Sequence, residues 1–135
     1  GLQANISSPL DIAFYEEKGV AYFIDAFKIR TFNLTSQRIS TLAGTGLPGN
    51  GPSQIPAINT SLNFPAKITI DEINNVLYVS EFDSHKIRMI DLNTTIIFEF
   101  AGNGIQAGNP LLSNGDGGLA VNAQLNSPLG LAVEN

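Results

Sequence analysis

The sequence repeats itself, and this internal repeat restricts the fold more than any other feature. Three segments, each with a proline as its second residue, align with one another at residues 8–14, 64–70 and 127–133. Their prolines are separated by 56 and 63 residues, and residues 120–135 stand in the same register as residues 1–16. The chain therefore contains two complete repeats and a short overlap. A period of this size is typical of proteins built from repeated structural units.

Each repeat contains four short runs rich in Val, Ile, Phe and Tyr, and turn residues separate these runs, which predicts β-strands. The predicted strands are 10–14, 20–24, 29–34 and 38–43 in the first repeat, 67–71, 76–80, 87–91 and 96–101 in the second, and a ninth near 129–133. No longer segment has the apolar spacing of a helix. Four antiparallel strands per repeat predict an all-β fold made of β-propeller blades. A single β-sandwich would not require strand-for-strand repetition.

The repeat alignment also predicts how the chain is divided. Residues 1–8 are predicted to end a preceding repeat, and residues 9–64 and 65–127 to form two four-stranded blades. Residues 128–135 are predicted to be the first strand of the next blade. The two blades are expected to form part of a larger propeller or assembly.

Several motifs link these repeats to a known family. Residues 115–120 (GDGGLA) precede residues 125–133 (LNSPLGLAV), and the tyrosine-bearing second strands end in an acid, at Asp25 and Glu81. A turn with the sequence SHKIR follows in the second repeat, and both fourth strands run into an Ala-Gly pair. In these features the chain resembles the NHL-repeat family of β-propellers. Ser84 stands where the family has Asn, and the first repeat lacks this turn motif.

The resemblance implies a ring of about six blades, more than 135 residues supply. Two blades alone would expose both broad faces and unpaired strand edges, so we expect the isolated chain to be unstable. The expected neighbours are other blades of the same polypeptide or identical chains, since three two-blade chains would make six blades. The first residue is Gly1 rather than Met, which indicates a removed leader or a segment of a longer chain.

The composition argues against several classes of function. Lys and Arg number 7 against 12 Asp and Glu, a net charge of −5, whereas binding to a phosphate backbone requires clustered cations. There is no Cys and one His, His85, so the sequence offers no thiolate or multi-histidine metal centre and no cysteine nucleophile. No apolar stretch is long enough to span a bilayer. We therefore predict no catalytic residue, no cofactor, no metal ion, no nucleic-acid partner and no membrane span.

Four N-glycosylation sequons occur, against about two expected by chance from the Asn, Ser and Thr content. The candidate acceptors are Asn5, Asn33, Asn59 and Asn93. Asn33 and Asn93 are predicted to lie between third and fourth strands, and the other two in loops that lead to the next blade. Asn also favours turns for conformational reasons. Because only 14% of the residues are charged, glycans are the favoured solubilising groups, which indicates an extracellular or cell-surface protein.

The other polar candidates have simpler structural interpretations. Asp25 and Glu81 are interpreted as turn carboxylates that accept backbone hydrogen bonds, rather than as an acid–base pair. His85 is expected to pack on the next blade, and residues 114–118 to form a Gly-rich connector rather than a calcium loop. The third-strand cations are expected to be solvated or ion-paired, and they are Lys28, Arg30, Lys86 and Arg88. The aromatic side chains expected to pack between blades are Phe14, Phe23, Phe32, Tyr78, Phe82, Phe98 and Phe100.

These features favour a non-catalytic propeller module for protein interaction or structural assembly, extracellular and glycosylated, as a subunit of an oligomer or filament. One alternative is a segment of a propeller lyase or hydrolase whose catalytic residues lie in blades outside this sequence. A second alternative is an RNA-binding NHL domain, which would require a basic face. The fold alone does not choose among them, because one scaffold hosts many functions.

Overall fold

The computed structural model describes residues 4–109 and 113–134, and almost all regular structure in them is β. The elements are β1 (Pro9–Tyr15), β2 (Val20–Asp25), β3 (Lys28–Asn33), β4 (Ile39–Ala43), β5 (Ile55–Pro56), the 3-10 helix η1 (Ala57–Asn59), β6 (Pro65–Asp71), β7 (Val76–Glu81), β8 (Lys86–Asp91), β9 (Ile96–Ala101) and the 3-10 helix η2 (Ala120–Asn122). They form two antiparallel sheets with the strand orders β1-β2-β3-β4 and β5-β9-β8-β7-β6. The predicted all-β class, with one sheet per repeat, is confirmed.

Short turns set the register of the hairpins. Gly19 and Asn75 end the equivalent turns after β1 and β6, and both have positive φ angles, +60° and +58°. Glycine and asparagine adopt this left-handed conformation at low cost. The turns therefore place Tyr15 opposite Val20, and Asp71 opposite Val76, at the start of each ladder.

The connector between the repeats supplies a strand that the sequence did not predict. Ile55 and Pro56 form β5, which pairs with Ile97 and Ile96 at the edge of the second sheet. Backbone hydrogen bonds from Gln54 N to Ile97 O and from Ala57 N to Thr95 O flank this pair. A two-residue strand carries no alternating pattern, so it is recognised only when its partner strand is in place.

The predicted ninth strand forms no ladder. Residues 129–133 are described, yet they pair with no strand. The first strands β1 and β6 each pair with the second strand of their own sheet. Both second strands of the described chain already pair with the first strands of their own sheets, so the backbone groups of residues 129–133 join no ladder.

The two sheets pack face to face around one apolar core. Because side chains alternate along a strand, Tyr22 and Ile24 of β2 point to the second sheet, and Leu77 and Val79 of β7 point back to the first. The core comprises Tyr15, Tyr22, Ile24, Ile29, Ala43, Ala57, Leu62, Ile68, Ile70, Leu77, Val79, Ile90 and Ile97. This burial is the main stabilising contribution to the fold.

Polar contacts link the first strands of the two sheets. Asp11 on β1 forms an ion pair with Lys67 on β6 at 2.8 Å and accepts a hydrogen bond from the Ile68 backbone N–H at 2.8 Å. The Tyr15 hydroxyl donates to the Glu72 carbonyl oxygen at 3.1 Å. These contacts fix the lateral alignment of the sheets, which apolar packing alone specifies less sharply.

The repeated Ala-Gly pair anchors each connector to its blade. Gly44 has a φ of +90° and donates its N–H to Ala57 O at 3.0 Å, and Gly102 has a φ of +88° and donates to Ala120 O at 2.9 Å. A Cβ at Gly44 would collide with the Phe27 carbonyl oxygen. Both the conformation and the close approach therefore require glycine.

We predict that Ile90→Ala lowers the free energy of unfolding by about 2–5 kcal/mol, because it leaves a cavity at a fully buried position between the sheets. Urea denaturation followed by circular dichroism measures this change. The control is Ile73→Ala, at a side chain 76% exposed in the β6–β7 turn, which is expected to change stability by no more than about 0.5 kcal/mol. Equal effects of the two substitutions would contradict the assignment of the core.

Candidate interaction surface

One broad face of the first sheet has no sheet packed against it in the part of the chain that the structure describes. Strand register pairs Ile12 with Phe23 and Phe14 with Ala21, so these side chains lie on one side of the sheet. Phe32 on β3 pairs with Ala21, and Ile39 on β4 pairs with Phe32, so both lie on the same side. We call this surface the leading face and define it by Ile12, Phe14, Ala21, Phe23, Phe32 and Ile39.

Every leading-face residue has an equivalent in the second repeat, and those equivalents are buried against the first sheet. Ile68 and Ile70 occupy the positions of Ile12 and Phe14, and they are 2% and 4% exposed. Ile12 and Phe14 are each 53% exposed. The other equivalents, Leu77, Val79, Ile90 and Ile97, are fully buried. The same strand positions therefore form an interior in the second blade, whereas in the first blade Ile12 and Phe14 are exposed while Ala21 and Phe23, at the centre of the face, are 2% and 8% exposed.

The leading face is the wall of a wide groove of about 600 Å³. Its lining is almost wholly apolar and extends to Ile6, Leu10 and Leu34, each about half exposed. Small polar ligands are recognised by convergent polar groups, and this groove offers only the Asp11 side chain. A contiguous apolar surface of this kind is typical of a protein-interaction site.

The opposite face of the second sheet forms the other end of the two-blade unit, and we call it the trailing face. It is defined by Thr69, Tyr78, Ile87 and Phe100, and residues 131–133 run beside it. Tyr78 and Phe100 pack edge to face with their centroids 4.7 Å apart. The trailing face is therefore partly covered by residues 131–133, whereas Ile12 and Phe14 leave the leading face half exposed.

A buried arginine fastens the connector to the second blade. Arg88 is 2% exposed, and its guanidinium donates to Gly51 O at 3.2 Å, Pro52 O at 2.7 Å and Ser53 Oγ at 2.9 Å. Its Nη1 also lies 3.4 Å from Glu81 Oε1. Taking this charge out of water is compensated by a carboxylate and by several oriented acceptors.

Glu81 is held by donors from three directions. Its Oε2 accepts from Asn63 N at 2.8 Å and from Ser84 Oγ at 3.2 Å, and its Oε1 faces Arg88. Burial raises the pKa of this carboxyl, and the Asn63 N–H, the Arg88 charge and the Ser84 hydroxyl offset only part of that effect. The side chain acts as a structural acceptor at the end of β7.

The first repeat contains a more open version of this arrangement. Asp25 accepts from the backbone N–H groups of Ser7 and Ser8 at 2.8 and 2.9 Å and forms an ion pair with Arg30 at 3.2 Å. Burial alone would raise the pKa of Asp25, but the Ser8 and Ser7 donors and the Arg30 charge outweigh it and lower the pKa. The interpretation of Asp25 and Glu81 as turn carboxylates bonded to backbone is confirmed.

The structure also locates the other polar candidates. His85 Nδ1 accepts a hydrogen bond from Ser127 N at 3.1 Å, so this side chain contacts the start of the next repeat, as predicted. Arg30 and Lys86 are ion-paired, the latter with Glu99 at 2.6 Å. Arg88 is ion-paired as well, but it is buried rather than solvated. Its part in holding the connector was missed because the connector is 35–37 residues away in sequence.

The aromatic side chains are distributed differently from the prediction. The aromatics buried between the two sheets are Tyr15 and Tyr22, which the strand analysis did not select. Phe14 and Phe100 instead lie on the outer faces and are 53% and 44% exposed. The strand pattern identified aromatic positions correctly but did not show which side of each sheet has a neighbour.

Three of the four sequon asparagines lie outside the strands, and Asn33 is the last residue of β3. Asn5, Asn59 and Asn93 are exposed. Asn33 ends β3, and its Oδ1 accepts from the backbone N–H groups of Thr35 and Ser36. Glycan occupancy of these sites stays a prediction.

Two negative findings apply to residues 4–109 and 113–134. These residues contain no group of three His, Asp or Glu side chains that could hold a metal ion. They also contain no helix long and apolar enough to cross a membrane. Residues 114–118, the predicted connector, form turns.

Comparison with known proteins identifies the repeat. No family model matches the chain. NHL repeat-containing protein 2 from Homo sapiens is 28% identical over 99 residues, and the protein of that name from Gallus gallus is 30% identical over 101 residues. Each match covers 72% of this chain and 14% of the relative. The chain belongs to the NHL-repeat β-propeller family.

A solved structure supports the β-propeller fold independently. A chain in the crystal structure of a nidogen/laminin complex matches with a TM-score of 0.56 at 15% identity, over 73% of this chain and 33% of that chain. At this identity the match shows the fold alone. The predicted resemblance and the propeller class are confirmed, and the NHL propeller fold is in general that of a protein-interaction module.

We predict that Arg88→Met in this NHL blade lowers the free energy of unfolding by about 3–5 kcal/mol, because Glu81 is left as a buried and uncompensated carboxylate. Thermal and urea denaturation measure the loss. The double variant Arg88→Met/Glu81→Gln is expected to recover part of it. The matched control Lys86→Met breaks the more exposed pair with Glu99 and is expected to cost no more than about 1 kcal/mol. Equal losses in the two single variants would contradict the proposed role of Arg88.

Proposed function

We propose that this chain is a non-catalytic interaction module that binds a further NHL-type blade through its leading face. The observation that supports this most directly is the equivalence between the two repeats. Ile68 and Ile70 are buried by the first sheet, and Ile12 and Phe14 occupy the same positions one repeat earlier but are exposed. These positions are covered by a neighbouring sheet in the second repeat, and the equivalent apolar positions of the first repeat are suited to the same kind of contact.

The partner's contacting surface follows from the interface within the chain. The side of the first sheet that covers Ile68 and Ile70 presents Tyr22, Ile24 and Ile29. A blade with a similar apolar face would cover Ile12 and Phe14, and full burial of one such side chain contributes about 1.5–3 kcal/mol. A second copy of this chain carries a partly apolar end face of its own, the trailing face, and is the partner that we propose. Repeated head-to-tail contacts then lead to a closed ring of blades or to a filament.

The non-catalytic assignment is supported by how the carboxylates are used. Asp25 and Glu81 are the strand-end acids that a propeller enzyme would place toward a loop face. Both accept hydrogen bonds from backbone N–H groups and face an arginine. They are engaged in positioning loops, which leaves them poorly suited to proton transfer.

We further propose that the module is extracellular and glycosylated. Asn5, Asn59 and Asn93 are exposed, and none of them lies on the leading face. Glycans at Asn59 and Asn93 would leave both the leading face and the pocket beside Arg30 free. They would also supply the surface hydration that a chain with 14% charged residues otherwise lacks.

Phe14→Asp is expected to weaken association between copies at least about tenfold, because it places a carboxylate in the apolar interface. Sedimentation equilibrium over a range of chain concentrations measures this effect, and circular dichroism checks the fold. Ile73→Asp is the matched control: its side chain is 76% exposed on the β6–β7 turn, and it is expected to associate like the wild type. A wild-type chain that stays monomeric at high concentration would overturn the proposal, as would a Phe14→Asp variant that associates normally.

Glycosylation is tested by expressing the chain through a eukaryotic secretory pathway and measuring its intact mass before and after glycosidase treatment. We expect a mass decrease that corresponds to glycans on the exposed sequons, and its progressive loss in Asn5→Gln, Asn59→Gln and Asn93→Gln variants. An unchanged mass in the secreted wild type would refute glycosylation and leave the docking proposal standing.

A further inference from the structure

The connector before the second blade reveals how a blade receives the loop that precedes it. Arg88 Nη2 donates to Ser53 Oγ at 2.9 Å and to Pro52 O at 2.7 Å. The connector is held at its other end by the hydrogen bond from Gly44 N to Ala57 O. The second blade thus combines an arginine on its third strand with the loop that arrives from the first blade.

The second connector is built in the same way but has no arginine to bind. Gly102 N donates to Ala120 O at 2.9 Å, which makes Ala120 the equivalent of Ala57. Counting back four residues from each alanine places Asp116 at the position of Ser53. Asp116 is exposed, and its side chain has no hydrogen-bond partner among residues 4–109 and 113–134.

The first blade has the converse arrangement, an arginine without a loop. Arg30 is the equivalent of Arg88, and it donates from Nη1 to Asp25 and from Nε to Ser40 O at 3.3 Å. Its Nη2 has no partner within the described chain. A pocket of about 260 Å³ adjoins the guanidinium, and its lining includes Asn5 and Lys28.

We infer that copies of this chain associate head to tail, and that the Asp116 carboxylate of one copy binds the Arg30 guanidinium of the next. The inference rests on the proposed function, since the leading face must first receive another copy. It repeats between copies the contact that Ser53 makes with Arg88 within one. A carboxylate in place of a hydroxyl makes the hydrogen bond charge-assisted and therefore stronger. The contact would also fix the direction of association, because it joins two different ends of the chain.

Head-to-tail association would bring two equivalent segments of neighbouring copies to the same position. Residues 126–134 of one copy and residues 7–15 of the next are equivalent and would compete for one place. The latter include β1, which pairs with β2, and the former join no ladder. We therefore expect residues 126–134 of the first copy to be displaced by β1 of the next copy. The connector at residues 113–125 stays in place, because Ala120 O and Ala123 O accept hydrogen bonds from Gly102 N and Asn103 N.

Asp116→Lys is the decisive variant, because it places a like charge against Arg30. We expect it to weaken association of the full chain at least about tenfold in sedimentation equilibrium. Asp116→Ser places at this position the residue type that contacts Arg88 from position 53, and we expect it to retain most of the affinity. Glu17→Lys changes the net charge equally at an exposed turn and is the control, expected to associate like the wild type.

Two further readouts separate a direct contact from a general charge effect. In a double-mutant cycle, Arg30→Gln and Asp116→Ala together should weaken association no more than either alone, since each removes the same contact. Added salt should weaken the wild type more than Asp116→Asn. If the wild type associates but Asp116→Lys matches Glu17→Lys, the Asp116–Arg30 contact is wrong and the docking proposal survives. If the wild type does not associate, both fail.

Discussion

The structure depends on one constraint, which is that a blade has two broad faces and both must be covered. In the second blade, one face is covered by the first sheet, and the side chains at the centre of this contact, such as Leu77 and Ile90, are removed completely from water. In the first blade the equivalent face has no sheet packed on it in the described chain, and its outer side chains Ile12 and Phe14 are 53% exposed. Burial of apolar area is the dominant favourable term in folding, which is the physical basis of the proposal that a further blade covers this face.

Polar contacts determine the relative position in which neighbouring sheets and loops pack. Apolar faces tolerate several alignments, whereas Arg88 reaches the connector through oriented donors and accepts only one position of the loop. The Asp11–Lys67 pair has a similar role between the first strands of the two sheets. In this NHL propeller unit, apolar burial supplies most of the stability, and a small number of charged groups specify the register between neighbours.

Much of the fold could be predicted from the repeat, and the failures have definite causes. Eight strands were predicted close to their observed positions because alternation and turn residues are local signals. The short strand β5 was missed, and the segment predicted as a ninth strand joins no sheet of the described residues, because each depends on whether a partner strand is present. The candidate surface was the least predictable part. Phe14 was predicted to pack between blades and Tyr22 was not, yet Phe14 is exposed and Tyr22 is buried between the sheets.

The sequence by itself determined the blade architecture, the turn chemistry and the positions of the sequons, because strand alternation, left-handed glycines and short motifs are encoded over a few neighbouring residues. Tertiary structure alone decided which faces are covered, and it made Arg88 a buried anchor while its equivalent Arg30 stayed accessible. The physical reason is that a side chain is buried only when a second surface packs against its own. A side chain's surroundings depend on a neighbouring sheet or loop dozens of residues away, and no local pattern reports whether that neighbour is there.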